Sequence, residues 1–174
     1  VDPEIIGLLY EASAAGVPVR LIVRGICCLI PGKPGISETI TVRSIVGRLL
    51  EHSRIFLFEN AGKQKIFLGS ADWMPRNLDR RVELMFPVEE DILRKRILRI
   101  LDRMLADNEN ARVMDSEGAY ARVDRRGKTS ISCQTDFMRF ACEAARKYRE
   151  ETPKGPFEPI RSADAQQKRK GMEK

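Results

Sequence analysis

The stretch Glu51-His52-Ser53-Arg54-Ile55-Phe56-Leu57-Phe58-Glu59-Asn60-Ala61-Gly62-Lys63-Gln64-Lys65-Ile66-Phe67-Leu68-Gly69-Ser70-Ala71-Asp72-Trp73 decides how this chain is read. Ile55–Glu59 and Lys65–Leu68 are apolar and β-prone, and Asn60-Ala61-Gly62 between them has the composition of a hairpin turn. The chemistry lies at the two ends of that hairpin. If Arg54 starts the first strand, His52 and Arg54 point to one face, because strand side chains alternate. A histidine and an arginine on one face suit a phosphoryl group: the imidazole titrates near neutral pH, and the guanidinium stays charged. Gly69-Ser70 at the far end supplies small residues whose N–H groups are able to approach an anion.

Outward from the hairpin the pattern alternates helix and strand. Asp2 and Pro3 open a helix that Gly16 ends, and Val17–Val23 comes next as a buried strand. Arg24-Gly25 stands at that strand's carboxyl end, where open α/β sheets present ligand-binding groups. A Pro- and Gly-rich loop spans 31–37, Thr39–Arg43 is a short strand, and 46–51 is a helix or turn. Asp72–Leu78 reads as irregular and Arg81–Pro87 as a strand. Glu89–Ala106 is a long amphipathic helix, Tyr120–Asp124 a strand, and Ser132 or Gln134 opens a last helix. The fold class expected is α/β, a layered domain with a central mixed β-sheet flanked by helices. It covers 1–150, and the polar segment 151–174 reads as a flexible tail.

Composition narrows the function. The chain has 174 residues, 43% hydrophobic and 32% charged, with formal net charge +6. Arginine outnumbers lysine about two to one, and arginine's planar fork matches phosphate oxygens. The cluster Arg76-Asn77-Leu78-Asp79-Arg80-Arg81 adds three arginines, one of which Asp79 could orient. Aromatic residues are only 6%, too few for a base-stacking surface, so nucleic acid is not the expected partner. Cys27, Cys28, Cys133 and Cys142 have no zinc-ligand spacing and read as buried free thiols, and no metal site is expected. No signal peptide is legible, and the chain reads as cytoplasmic.

His52-x-Arg54 followed by Gly69-Ser70-Ala71-Asp72 resembles the phospholipase D motif, with Arg54 in place of its lysine and Asp72 in place of its asparagine. A longer resemblance contains this one. Val1–Ile6, Leu21–Cys28, Val42–Arg48, Glu51–Ile55 and Gly69–Glu83 together resemble the C-terminal domain of bacterial polyphosphate kinases, from Val1 to about Tyr148. The resemblance implies a phospholipase D-like fold, with a further helix and strand of the same domain ahead of Val1. It also implies reversible transfer of the ATP γ-phosphate to inorganic polyphosphate through a phosphohistidine on a preceding domain. By position, His52 matches a helper histidine at the nucleotide phosphates, and Arg24 and Arg81 match phosphate-binding arginines. Arg54 joins them through the His-x-Lys analogy. The partners implied are ATP or ADP, polyphosphate, and the N-terminal, head and first C-terminal domains of the same enzyme. The complete enzyme is expected to be a homo-oligomer, cytoplasmic or peripheral at the inner membrane face. Mg²⁺ would come with ATP, bound mainly outside this chain, and the fragment alone is expected to turn over little. Two other readings use the same residues: a phospholipase D-like phosphodiesterase half-site, and a non-catalytic polyanion-binding module.

Overall fold

A computed structural model describes residues 1–151; the segment expected as a tail lies, apart from Glu151, outside the described residues. The chain divides into two compact units, one spanning 1–137 and the other starting at Met138. In the first, α1 (Pro3–Ala14) begins where expected. The Asp2 carboxylate accepts from the Ile5 N–H at 2.9 Å, and proline occupies the first turn. Gly16, at φ 83, then turns the chain into β1 (Val19–Ile22).

β1 lies parallel to β2 (Ile40–Ile45). β6 (Ala111–Met114) adds antiparallel to β2, and β7 (Tyr120–Arg122) antiparallel to β6. The order β1-β2-β6-β7 is the expected mixed sheet. The hairpin strands build a second sheet: β3 (Ile55–Phe58), β4 (Lys65–Gly69) and β5 (Met85–Pro87), all antiparallel. The turn between β3 and β4 places Asn60 (φ 47), Ala61 (φ 52) and Gly62 (φ 84) in the left-handed region.

Three local expectations differ, and one left open is resolved. Pro75–Arg80 is a short helix, α2, where an irregular segment was expected, with Pro75 opening it. Only Met85–Pro87 of the expected strand 81–87 joins a ladder. Residues 46–51, expected as a helix or a turn, take the turn-like form, with bends at 47–49. β6 had no expected counterpart, because its four residues come after the polar run Asn108-Glu109-Asn110 and are too few to show an alternation.

α3 (Asp91–Ala106) serves both sheets. Ile97, with Leu98 and Leu101, packs with Ile66 and Val88 of the small-sheet region. One turn on, Ile100 and Met104 pack with Ile45, Ala111 and Cys133 beneath the mixed sheet. The opposite side of the mixed sheet packs Ile40, Val42 and Met114 against Ile6, Leu9 and Tyr10 of α1 and against Leu29.

Asp107 organises the chain beyond the carboxyl end of α3. Its side chain is buried, at 1% exposure. Oδ1 accepts from the N–H groups of Glu109, Asn110 and Ala111 at 3.1, 2.8 and 3.0 Å. Oδ2 accepts from the Cys133 N–H at 2.8 Å, the first residue of α4 (Cys133–Glu151). One carboxylate thus caps a helix 26 residues away and starts β6. The Arg43 guanidinium donates to the main-chain carbonyls of Leu105 and Asp107, and burial lowers its pKa more than Asp107 raises it.

Two of the four cysteines depart from expectation. Cys133 is buried and Cys27 half-buried, but Cys28 and Cys142 are exposed. Burial, with Asp107 second, pushes the Cys133 thiol up to about 12. Iodoacetamide at about pH 8 should therefore label Cys28 and Cys142 in the native chain and reach Cys133 only after unfolding, as read by peptide mass spectrometry. Asp107→Ala strands several buried N–H groups at once. It should cost roughly 3 kcal/mol or more in urea unfolding, at about 1–3 kcal/mol per unsatisfied group.

Candidate functional site

Three segments converge beside the carboxyl end of β1. The first is Arg24, just beyond the strand. The second is the segment 46–54 leading from β2 into β3. The third is 70–74, just after β4. Asp72 holds them together: its Oδ2 accepts from Arg24 Nη2 at 3.4 Å, and its Oδ1 from Arg54 Nε at 3.1 Å. Each oxygen of one carboxylate thus orients a different guanidinium. Arg24 also donates through Nη1 to the Glu51 carbonyl at 3.0 Å, and Arg54 through Nη1 to the His52 carbonyl at 2.7 Å.

The three side chains are 21–32% exposed, so each ion pair contributes only about 0–1 kcal/mol of stability. Their effect is on geometry. Two cations and one anion leave a net positive charge, and the guanidiniums are held before any ligand arrives. They border a cavity of about 510 Å³, together with Glu51, Ser53 and Trp73 and an apolar floor from α1 and β1. Trp73 stacks on Phe56 of β3 with ring centroids 5.2 Å apart, and its carbonyl accepts from the Asp2 N–H at 3.1 Å.

The expected residues are brought together unequally. Arg24 and Arg54 meet on Asp72. His52 is exposed and joined to them through its own carbonyl; it precedes β3 rather than sitting in it, so strand alternation does not set its direction. Arg81 is exposed at the carboxyl end of α2, with φ −126 and ψ 153. Its charge acts on the Glu83 carboxylate, apart from the Arg24–Asp72–Arg54 cluster. That carboxylate sits below its usual pKa through hydrogen bonds from Ser70 and then Asn77, with smaller effects of Arg81 and Arg54.

Two motif readings change. Ser70 spends its donors inside the chain rather than on a ligand: its N–H goes to the Leu84 carbonyl at 2.9 Å and its hydroxyl to the Glu83 carboxylate. The Gly69-Ser70 pair instead lets β5 return beside β4, and a Cβ at Gly69 would meet the Leu84 carbonyl and the Phe56 ring, both at 3.3 Å. The acid that orients arginines is Asp72 rather than Asp79.

Sequence reasoning missed Gln134. Its side chain, 5% exposed, accepts from the Leu49 N–H at 2.9 Å and donates to the Leu49 carbonyl at 2.6 Å. This clamp, with Arg24 on the Glu51 carbonyl, fixes the segment that presents His52. A Cβ at Gly47 would lie 2.4 Å from the Gln134 amide oxygen, so Gly47 in Val46-Gly47-Arg48 was the available sequence signal.

The chain resembles known proteins over most of its length. Residues 1–134 match the family described as polyphosphate kinase C-terminal domain 2. Over 145 residues, the chain is 51% identical to a polyphosphate kinase of Lactiplantibacillus plantarum, covering 83% of this chain and 20% of that protein. Over 126 residues, it is 54% identical to one from Pseudomonas aeruginosa, covering 72% and 18%. The crystal structure of polyphosphate kinase from Porphyromonas gingivalis superposes with TM-score 0.78 at 41% identity, covering 84% of this chain and 22% of that one. The chain spans about a fifth of the length of these relatives.

Gln134→Ala should speed hydrogen exchange at the Leu49 amide markedly and cost about 1–3 kcal/mol of stability. Unchanged Leu49 protection would show that the segment is held by other contacts.

Proposed function

The chain belongs to the polyphosphate kinase family, as its C-terminal domain, and on that premise we propose that it supplies one wall of the site that moves the ATP γ-phosphate to polyphosphate. The observation that carries this reading is Asp72 holding Arg24 and Arg54 side by side at the rim of a cavity. Phosphoryl transfer asks mainly for positioning and for positive charge around the equatorial oxygens. Arg24 and Arg54 meet that need, and Arg81 adds charge from the end of α2. His52 stands exposed beside them to hold or pass a proton at a phosphate oxygen.

In the proposed reaction a histidine of the preceding domain attacks the γ-phosphorus. The bond to the β–γ bridging oxygen breaks, ADP leaves and an N–P bond forms. The terminal oxygen of polyphosphate then attacks phosphorus, and the N–P bond breaks. The arginines of this chain bind the oxygens throughout without changing charge. Mg²⁺ accompanies ATP in such reactions and, in this reading, is held mainly by groups outside this chain. Asp72 gives both oxygens to arginines, and among the described residues no group of three His, Cys, Asp or Glu side chains could hold a metal. ATP as donor supports a cytoplasmic site. Among the described residues no helix is long and apolar enough to cross a membrane. The phosphodiesterase reading has less support, because the Ser70 and Asp72 side chains of its motif are engaged within the chain.

In the complete enzyme, His52→Ala, Arg24→Ala and Arg81→Ala should each lower ATP-dependent polyphosphate synthesis by roughly 10²–10³-fold, the usual effect of removing one donor to a developing charge. Near-normal turnover in all three would overturn the site assignment. The isolated chain should bind polyphosphate weakly and turn over little; robust synthesis by it would remove the need for a histidine elsewhere.

A further inference from the structure

Two arginines outside the site just described face each other across the mixed sheet. β6 and β7 pair Arg112 directly with Arg122, and β2 pairs Ser44 with Arg112. Residues directly opposite in a sheet lie on one face, with Cβ atoms about 4.5–5.5 Å apart, and like charges so placed repel. Nothing in the neighbouring sequence relieves this pair. Asp124 is bonded to Arg126 at 2.8 Å, Glu109 to Ser130 at 2.9 Å, and Asp107 to buried backbone N–H groups. Among the described residues no carboxylate comes within ion-pair distance of Arg112 or Arg122. Arg112 is half-buried and Arg122 exposed, so both guanidiniums remain open to a ligand.

The row also has a telling position. The Val23 N–H donates to the Arg43 carbonyl, so the end of β1 lies level with Ser44. The amino end of β6 and the carboxyl end of β7 are at this same end of the sheet, where Arg24 leaves it. Neighbouring strands are about 4.8 Å apart, so Arg122 lies roughly 15 Å across the sheet from the end of β1. That span is several successive phosphoryl units of one chain.

We propose that Arg112 and Arg122, with the Ser44 hydroxyl, form a second anion-binding station that holds a distal stretch of the polyphosphate chain while its end is processed at Arg24 and Arg54. The proposal rests on the function proposed above and extends it to residues that neither motif nor geometry placed at the reacting phosphate. A bound phosphate chain is also what would neutralise the repelling pair.

The test uses the complete enzyme carrying Arg112→Gln and Arg122→Gln together, with tripolyphosphate and long-chain polyphosphate as probes. Affinity for the long chain should fall at least about tenfold. Its log–log salt dependence should become shallower by roughly one to two, the change expected when two phosphate contacts are lost. Tripolyphosphate affinity and the KM for ATP should stay within about twofold, because the reacting end is untouched. Without ligand the variant should melt no lower than the parent, since a repulsion has been removed, and long polyphosphate should raise its Tm less. Equal losses on both probes, an unchanged salt slope, or a lower unliganded Tm with normal long-chain binding would each overturn the station. If the parent enzyme binds no polyphosphate at all, the proposed function itself fails. If the parent binds and the variant binds equally well, only the station fails.

Discussion

The Asp72 carboxylate, placed between Arg24 and Arg54, ties the two sheets of this chain into one surface. Arg24 leaves the mixed sheet, whereas Arg54 enters and Asp72 leaves the small one. Among the described residues the sheets share no ladder; at this end they meet through side chains. Partly exposed pairs add little stability, so the value of the arrangement is directional. Without Asp72, each guanidinium would keep only its bond to a backbone carbonyl, Glu51 for Arg24 and His52 for Arg54. With it, both are held at the rim of one cavity, and the His52 backbone is drawn in through Arg54.

That surface needs a rigid frame, which the chain builds at two places. α3 packs against both sheets within two turns, so one helix is shared by both cores. Asp107 then gathers the start of β6 and the first turn of α4 onto one buried carboxylate. α4 in turn delivers Gln134 to the backbone of Leu49. The line from Asp107 through the start of α4 to Leu49 and His52 is a chain of hydrogen bonds and a few covalent steps. It explains why a residue far along the sequence governs the segment that presents the histidine.

Much of the fold was legible because it rests on local signals. The Asp2-Pro3 helix start, the hairpin of β3 and β4, the amphipathic α3 and the strands β1 and β2 all stem from capping, alternation and period. β6 was not legible, since four residues after a polar run carry no period; it exists because Ile45 and Met104 offer Ala111 a buried place and Asp107 starts the strand. The polar run before it is held in place because its backbone donors serve Asp107. Among the site residues, Arg24 and Arg54 were legible from their places at strand ends. Gln134 was not, because its partner lies 85 residues away.

The sequence by itself determined the residue types at the site and their order: an arginine after a buried strand, His52 and Arg54 before a hairpin, Asp72 after it. It also carried the family resemblance, since long motifs in fixed order are a property of the chain alone. Only the tertiary structure decided which groups act on which. It assigned Asp72 to the arginines and Ser70 to β5, left Arg81 apart from the pair, and opposed Arg112 to Arg122 with no carboxylate between them among the described residues. The reason is physical. Hydrogen bonds and ion pairs act over about 3 Å, and which side chains come that close depends on how the two sheets pack on α3.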